Sequence, residues 1–129
     1  MQTVQNIAKP FLKWAGGKGQ LLPQLEAALP QDLYDNEFTY IEPFVGGGAM
    51  MPFAKSEKGK AGDIIPELIA LWNEIKHNPQ NVATEYEHRW NRLQKEGYQV
   101  FYEIRDTFNK NKNPFDFLFL TRTCINGMI

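Results

Sequence analysis

Residue types that build common functional sites are scarce in this 129-residue chain. A single cysteine, Cys124, excludes an internal disulfide and fits a reducing compartment. The two histidines, His77 and His88, have no second histidine, cysteine or acid at metal-ligand spacing. The sequence also offers no Ser-His-Asp or Cys-His set. It therefore predicts neither a zinc site nor a nucleophilic triad.

Strong net charge and long apolar runs are absent as well. The formal net charge is −1, so no overall field draws the chain to nucleic acid or an anionic membrane, and DNA binding needs a local basic cluster. No apolar run approaches the roughly 20 residues that cross a bilayer. The first residues lack the basic and then apolar pattern of a signal peptide. With 43% hydrophobic residues, we expect one soluble, cytoplasmic domain with a real core and no membrane partner.

A glycine-rich segment follows a predicted strand near the middle of the chain. Residues 38–41 are aromatic and β-branched, typical of a short buried strand; Glu42, a proline, an aromatic residue and three glycines follow. Glycine lets backbone approach a ligand, and open α/β sheets bind nucleotide-like ligands at the carboxyl ends of strands. The triplet fits neither G-x-G-x-x-G nor a Walker loop. The segment favours a hydroxylated or cationic ligand over a pyrophosphate; a glycine-rich surface turn is the alternative.

A second motif occupies residues 9–18, which read K-P-F-L-K-W-A-G-G-K. Its glycine pair predicts a tight loop, with Lys18 just before a helix over 21–29 that Pro30 closes. One interpretation is a loop that lays the ring of Trp14 and an ammonium group over a planar anionic ligand, assisted by amides at the helix start. In the alternative, Trp14 fills the core and Lys18 is solvated.

Asp63 lies at the end of a second predicted strand within residues 61–66. In dinucleotide-type folds an acid at this position accepts the hydroxyl protons of a ribose. Alone, Asp63 is as readily explained as a helix N-cap or turn residue. Its separation from Glu42 and the glycines favours the binding interpretation. Pro66 then opens a helix that ends near Asn78.

The second half of the chain is predicted to be helical. Apolar residues recur at helical spacing through residues 80–113, interrupted by Gly97. The polar, basic tract 109–114 is the best local candidate for contacting phosphate, although such tracts are more often solvated turns. Residues 115–120 are strongly apolar and predict a buried helix start or a strand. We therefore expect a first half that contains the glycine motifs and a second half that is helical.

Taken in order, the motifs resemble one family. Residues 9–18, 40–48 and 62–69 match the cofactor, glycine-loop and ribose-binding segments of the Dam-type or D12 class of DNA adenine-N6 methyltransferases, which use S-adenosylmethionine. The tail at 101–128 looks like the family's helical target-recognition insertion. The resemblance implies an α/β fold, with a partial Rossmann-like methyltransferase sheet followed by a helical segment.

The family pattern also implies a division of the chain and a set of sites. Residues 1–79 would be the N-terminal part of the S-adenosylmethionine-binding domain, and 80–129 the start of the helical target-recognition region. The cofactor contacts that it implies are Trp14, Ala15, Gly16, Gly17, Lys18, Glu42, Phe44, Gly46, Gly47, Gly48, Asp63 and Ile64. Lys13, Arg122 and Asn126 would face double-stranded DNA, with Arg122 on a phosphate.

The chain departs from the family pattern in two respects. Gly62 and Ile65 stand where the family usually has asparagines, which we expect to loosen cofactor affinity. The chain also contains no Pro-Pro dipeptide, whereas the family grips the flipped adenine with [D/N]-P-P-[Y/F]. We therefore expect the N-terminal half of a methyltransferase, inactive alone and prone to self-association or to pairing with a complementing C-terminal half. The alternative is a non-catalytic S-adenosylmethionine-binding module or one half of a split enzyme.

Overall fold

The computed structural model describes residues 10–30, 39–53 and 59–127. The chain divides into two compact units, Met1–Ile64 and Ile65–Ile129. In the first unit a 3₁₀ turn at Lys18–Leu21 leads into helix α1 (Leu22–Ala28), as the apolar spacing predicts. Within the described ranges, no helix is long and apolar enough to cross a membrane.

Two short strands form a parallel sheet in the first unit. Strand β1 (Ile41–Glu42) pairs with β2 (Lys60–Ala61), so that Glu42 lies opposite Ala61. Backbone bonds continue the pairing past both strand ends: the Gly62 amide donates to the Glu42 carbonyl at 2.8 Å, and the Val45 amide donates to the Gly62 carbonyl at 2.9 Å. Parallel pairing requires a crossover and is typical of α/β proteins. The described fold is thus a mixed one, mainly helical with a small parallel sheet.

The prediction of a buried strand over residues 38–41 is wrong about the buried side. Phe38 lies outside the described residues, Ile41 is 65% exposed, and Glu42 is only 7% exposed. Successive side chains of a strand point to opposite faces, so Ile41 and Glu42 cannot both be buried by one layer. Here Glu42 lies on the buried face of the strand and Ile41 on the exposed face. After the glycines the chain forms a 3₁₀ turn at Met51–Phe53.

The second unit is built from helices whose ends follow the predicted signals. They are α2 (Pro66–His77), α3 (Pro79–Glu96), α4 (Gln99–Asn111) and α5 (Pro114–Thr123). Three of them begin on proline, whose missing N–H is not needed in a first turn. Gly97, at φ +92°, ends α3 because few other residues adopt this conformation.

Helix α5 forms the centre of the second unit. Residues 116–121 are all buried, and the helix contacts α2, α3 and α4. The apolar run at 115–120, for which helix and strand were both open, is therefore helical. The polar tract 109–114 spans the end of α4 and the turn into α5: Lys112 is left-handed at φ 55°, and the Asn113 side chain accepts from the amides of Phe115 and Asp116.

Helix α2 belongs to the second compact unit, although it lies in the segment 1–79 that the family pattern assigns to cofactor binding. Its Leu68 and Leu71 are fully buried, and α2 packs on α3 and α5. Compactness and function need not share a boundary. The functional division at residue 79 stays a prediction.

Candidate functional site

The glycine loop and Asp63 meet at one edge of the small sheet. The loop leaves the carboxyl end of β1, and Asp63 follows the carboxyl end of β2. Because parallel strands end at the same edge, segments far apart in sequence converge there. The Asp63 carboxylate accepts the Gly46 amide at 3.0 Å, which ties the loop to the second strand.

Trp14 packs directly against the glycine loop. A Cβ added at Gly46 would lie 3.0 Å from Cδ1 of the indole, and one at Gly47 would lie 3.1 Å from Cβ of Trp14. Gly46 is also left-handed, at φ +49°, a conformation that side-chain-bearing residues rarely adopt. The loop needs glycine at both positions so that the tryptophan can approach. Trp14 therefore supports the loop, and its contact with a cofactor remains a prediction.

Lys18 joins the loop to Glu42. Its ammonium group donates to the Phe44 carbonyl at 3.3 Å and lies 3.7 Å from Oε1 of Glu42. Tyr40 donates its hydroxyl to the other oxygen, Oε2, at 3.1 Å. Oε1 is buried and has no hydrogen-bond partner among the described residues. A buried carboxylate oxygen in this state is an acceptor available to a ligand donor.

Burial dominates the ionisation of this pair. Desolvation raises the pKa of Glu42, although the hydrogen bond from Tyr40 and the ammonium of Lys18 oppose the rise. Desolvation and the neighbouring carboxylate raise the pKa of Tyr40 to about 12. The phenol therefore stays protonated, and stays a donor, across the ordinary pH range.

The remaining expected cofactor residues belong to the same segments and are mostly exposed. Ala15 and Gly16 form an exposed turn that the Gly17 amide closes onto the Trp14 carbonyl at 3.2 Å. Phe44 is 74% exposed and Ile64 is 91% exposed. Apolar side chains with that much exposure next to a polar loop are available to pack on a ligand ring. All the residues expected at the cofactor lie in the first unit.

The residues expected at DNA are divided between the units. Lys13 is exposed in the first unit. In the second unit the Arg122 guanidinium lies 5.6 Å over the Tyr86 ring and donates to its hydroxyl at 3.4 Å. Asn126 belongs to a 3₁₀ turn at Ile125–Gly127, and its side chain is not described. In the part of the chain that the structure describes, no cluster of acids, histidines or cysteine could hold a metal ion.

Comparison with known proteins decides the family. The model for the D12 class of N6 adenine-specific DNA methyltransferases matches residues 14–129, nearly the whole chain. The chain belongs to this class. The resemblance carried by the sequence motifs is thereby confirmed.

Curated relatives of this D12-class chain agree. It is 37% identical to the Type II methyltransferase M.MjaIII of Methanocaldococcus jannaschii over 93% of its own length and 47% of the relative's. It is 34% identical to the DNA adenine methylase of Haemophilus influenzae over 93% of this chain and 42% of that protein. The Escherichia coli K12 DNA adenine methylase is 33% identical, with 93% and 42% covered. The chain thus spans less than half the length of these relatives.

One member of the site escaped the sequence analysis of this D12-class chain. Tyr40 belongs to the aromatic strand and to the matched segment 40–48 but is not among the implied cofactor contacts, yet its hydroxyl donates to Glu42. A signal was present, because residues two apart in a strand share one face. Without knowing which face is buried, that alternation does not identify a hydrogen bond.

Proposed function

We propose that this chain is the S-adenosylmethionine-binding part of a DNA adenine-N6 methyltransferase, built on the first strands of a Rossmann-like sheet. One observation carries the proposal. The residues 14–18, the loop 42–48 and Asp63 converge at the carboxyl edge of two parallel strands. Ligands of open α/β sheets bind at such an edge. Family membership gives the ligand class, since the class transfers methyl groups.

The residues at this edge fit the methyl donor. Asp63 would accept the ribose hydroxyls, Ile64 would pack on the adenine ring, and Glu42 with the loop would line the methionine side. Oε1 of Glu42, which accepts no hydrogen bond among the described residues, and the loop glycines, which have no Cβ atoms, support that fit. S-adenosylmethionine, when bound, supplies an electrophilic methyl group on a sulfonium. The chain's part is to bind and orient it.

Calorimetry with S-adenosylmethionine tests the cofactor assignment. The Asp63→Asn variant keeps an oxygen that can accept the Gly46 amide but loses the charge that strengthens bonds to hydroxyls. We expect about 10- to 100-fold weaker binding, as for a hydrogen bond to a charged group. Asp106→Asn, a change at an exposed residue of the second unit, is the matched control. No heat from the unaltered chain at millimolar ligand would reject the assignment.

Methyl transfer needs groups that these residues do not contain. The adenine amino group is a poor nucleophile until it donates hydrogen bonds to the [D/N]-P-P-[Y/F] segment, which localises its lone pair, and the chain has no Pro-Pro dipeptide. Without that segment the acceptor is not positioned, and the large proximity contribution is lost. We expect the 129-residue polypeptide alone to transfer no methyl group to duplex DNA.

A second candidate, one half of an enzyme that another polypeptide completes, follows from the same observation. Radiolabelled methyl transfer to duplex DNA separates the possibilities. Transfer only after addition of a family polypeptide that carries D-P-P-Y favours the split enzyme. Cofactor binding without transfer in either case favours a non-catalytic binding module. Transfer by the chain alone contradicts the expected inactivity.

DNA binding is proposed for Lys13, Arg122 and Asn126. Because the net charge is only −1, DNA binding depends on a few local cations. The phosphate contact of each lysine or arginine should therefore be visible in the salt dependence of DNA binding. Removing one phosphate contact with Lys13→Gln should reduce the slope of log affinity against log salt by about one. Lys76→Gln, at an exposed lysine of α2, is the control.

A further inference from the structure

Tyr40 is fixed at both its backbone and its side chain. Its carbonyl accepts the Lys60 amide at 2.7 Å, which anchors it to the second strand. Its hydroxyl donates to Oε2 of Glu42 at 3.1 Å. The side chain is half-buried. A tyrosine held in this way can restrict the rotation of the carboxylate that it contacts.

The two oxygens of Glu42 have different surroundings. Oε2 accepts from Tyr40, whereas Oε1 has no hydrogen bond among the described residues. The ammonium of Lys18 lies 3.7 Å from Oε1, beyond hydrogen-bond distance. Lys18 instead donates to the Phe44 carbonyl at 3.3 Å. Oε1 therefore lies on the side of the carboxylate where the lysine meets the glycine loop.

We propose that Tyr40 is a positioning residue of the cofactor site, which holds Oε2 so that Oε1 of Glu42 is presented as an acceptor to ammonium or hydroxyl donors of S-adenosylmethionine. The assignment rests on the proposed function. It gives a role to Tyr40, which lies in the matched segment 40–48 but is not among the cofactor contacts that the family pattern implies. Tyr40 acts through Glu42 and does not contact the reacting atoms.

The ionisation of the cluster agrees with this role. Among the described residues, Lys18 and Tyr40 are the titratable side chains that contact Glu42, and both lower its pKa against burial. The ionised carboxylate only accepts, whereas protonation turns one of its oxygens into a donor. Removing the Tyr40 hydroxyl should therefore raise the pKa of Glu42 further. As pH falls, the Glu42 carboxylate would then become protonated at a higher pH than in the unaltered chain.

Tyr40→Phe tests the role on the full chain with two readouts. Carbon-detected NMR titration of the Glu42 carboxyl, without ligand, should show a higher pKa in the variant. Calorimetry with S-adenosylmethionine should show about tenfold weaker binding near neutral pH, the size of one hydrogen bond to an ionised group. The fall in affinity for S-adenosylmethionine that accompanies acidification should begin at a higher pH in the variant. Tyr98→Phe, at an exposed tyrosine of the second unit, should change neither readout.

A Glu42→Gln background provides the cross-check. Because glutamine does not ionise, adding Tyr40→Phe there should produce no shift of the pH profile. An unchanged Glu42 titration in Tyr40→Phe, or an unchanged affinity, would overturn the positioning role and leave cofactor binding standing. Absence of binding by the unaltered chain at every pH would overturn the proposed function and this role together.

Discussion

Alanine substitutions at four glycines should separate backbone strain from the contact with Trp14. Gly46 is left-handed and its Cβ would crowd the indole; Gly16 is left-handed, at φ +73°, with nothing within 4 Å. Gly47 has the crowding, at 3.1 Å, without a left-handed backbone. Gly62 has neither. The chain thus offers every combination of the two effects within one unit.

The magnitudes follow from these differences. A left-handed backbone costs alanine about 1–2 kcal/mol, and losing glycine's freedom in the unfolded chain returns about 0.4–1. Gly16→Ala should therefore destabilise by roughly 1 kcal/mol, and Gly62→Ala should be neutral or slightly stabilising. Crowding a packed side chain costs about 1–3 kcal/mol, which is the effect expected at Gly47. Gly46→Ala combines both effects and should cost about 2–4 kcal/mol.

Urea unfolding followed by Trp14 fluorescence provides the assay. Replacing Trp72 and Trp90, both in the second unit, with phenylalanine leaves Trp14 as the only reporter. The free energy of unfolding comes from the midpoint and slope of the transition. Equal losses in Gly46→Ala and Gly16→Ala would refute the contact with Trp14. A loss in Gly62→Ala as large as that in Gly46→Ala would refute the whole assignment.

Three further changes test the second unit and the buried acid. Arg89→Met should lower the free energy of unfolding in urea by about 3–5 kcal/mol, because Asp116, at 5% exposure and 2.7 Å from Nε of Arg89, loses its partner. Arg92→Met, in an exposed network, should lower it by less than about 1 kcal/mol. Similar losses in the two variants would contradict the assignment. Asn113→Ala should cost about 1 kcal/mol through loss of the α5 cap, whereas Asn113→Asp should retain most of the stability; an equal loss in both would exclude the cap as the cause. Burial raises the pKa of Glu42 in the folded state, so the folded chain binds the Glu42 proton more tightly than the unfolded chain does. The protonated side chain therefore stabilises the fold at low pH. This contribution is lost as pH rises from about 4.3, the unfolded value, through the raised pKa. The free energy of unfolding of Glu42→Gln relative to the unaltered chain should therefore increase across that window, and parallel pH profiles would contradict the raised pKa.

Local signals predicted the helices well. Proline at the first positions of α2, α3 and α5 and Gly97 after α3 act within a few residues, so the sequence carries them directly. The convergence of Glu42, the glycine loop and Asp63 was also predictable, because strand-end positions in an α/β sheet are set by topology. These features depend on spacing along the chain.

Features that depend on which face is covered could not be predicted. Apolar composition suggested that Ile41 is buried, but Glu42 is the buried residue, and it forms an ion pair with Lys18. The pairing of Arg89 with Asp116 joins residues 27 apart on two helices, and no local pattern specifies it. Composition reports how much surface must be buried. It does not report which tertiary partner buries it.

The site residues are interdependent within one unit, and this bears on how binding and catalysis are divided. Trp14 supports the glycine loop, Asp63 ties it to β2, and Lys18 links it to Glu42. Each of these contacts joins residues of the first unit, Met1–Ile64. A loop held by its own neighbours can be formed before the ligand arrives, which reduces the ordering cost of binding. We therefore expect cofactor affinity to survive changes in the helical unit, such as Arg122→Gln, that weaken DNA binding. A matching loss of both affinities in that variant would show that the two functions are coupled.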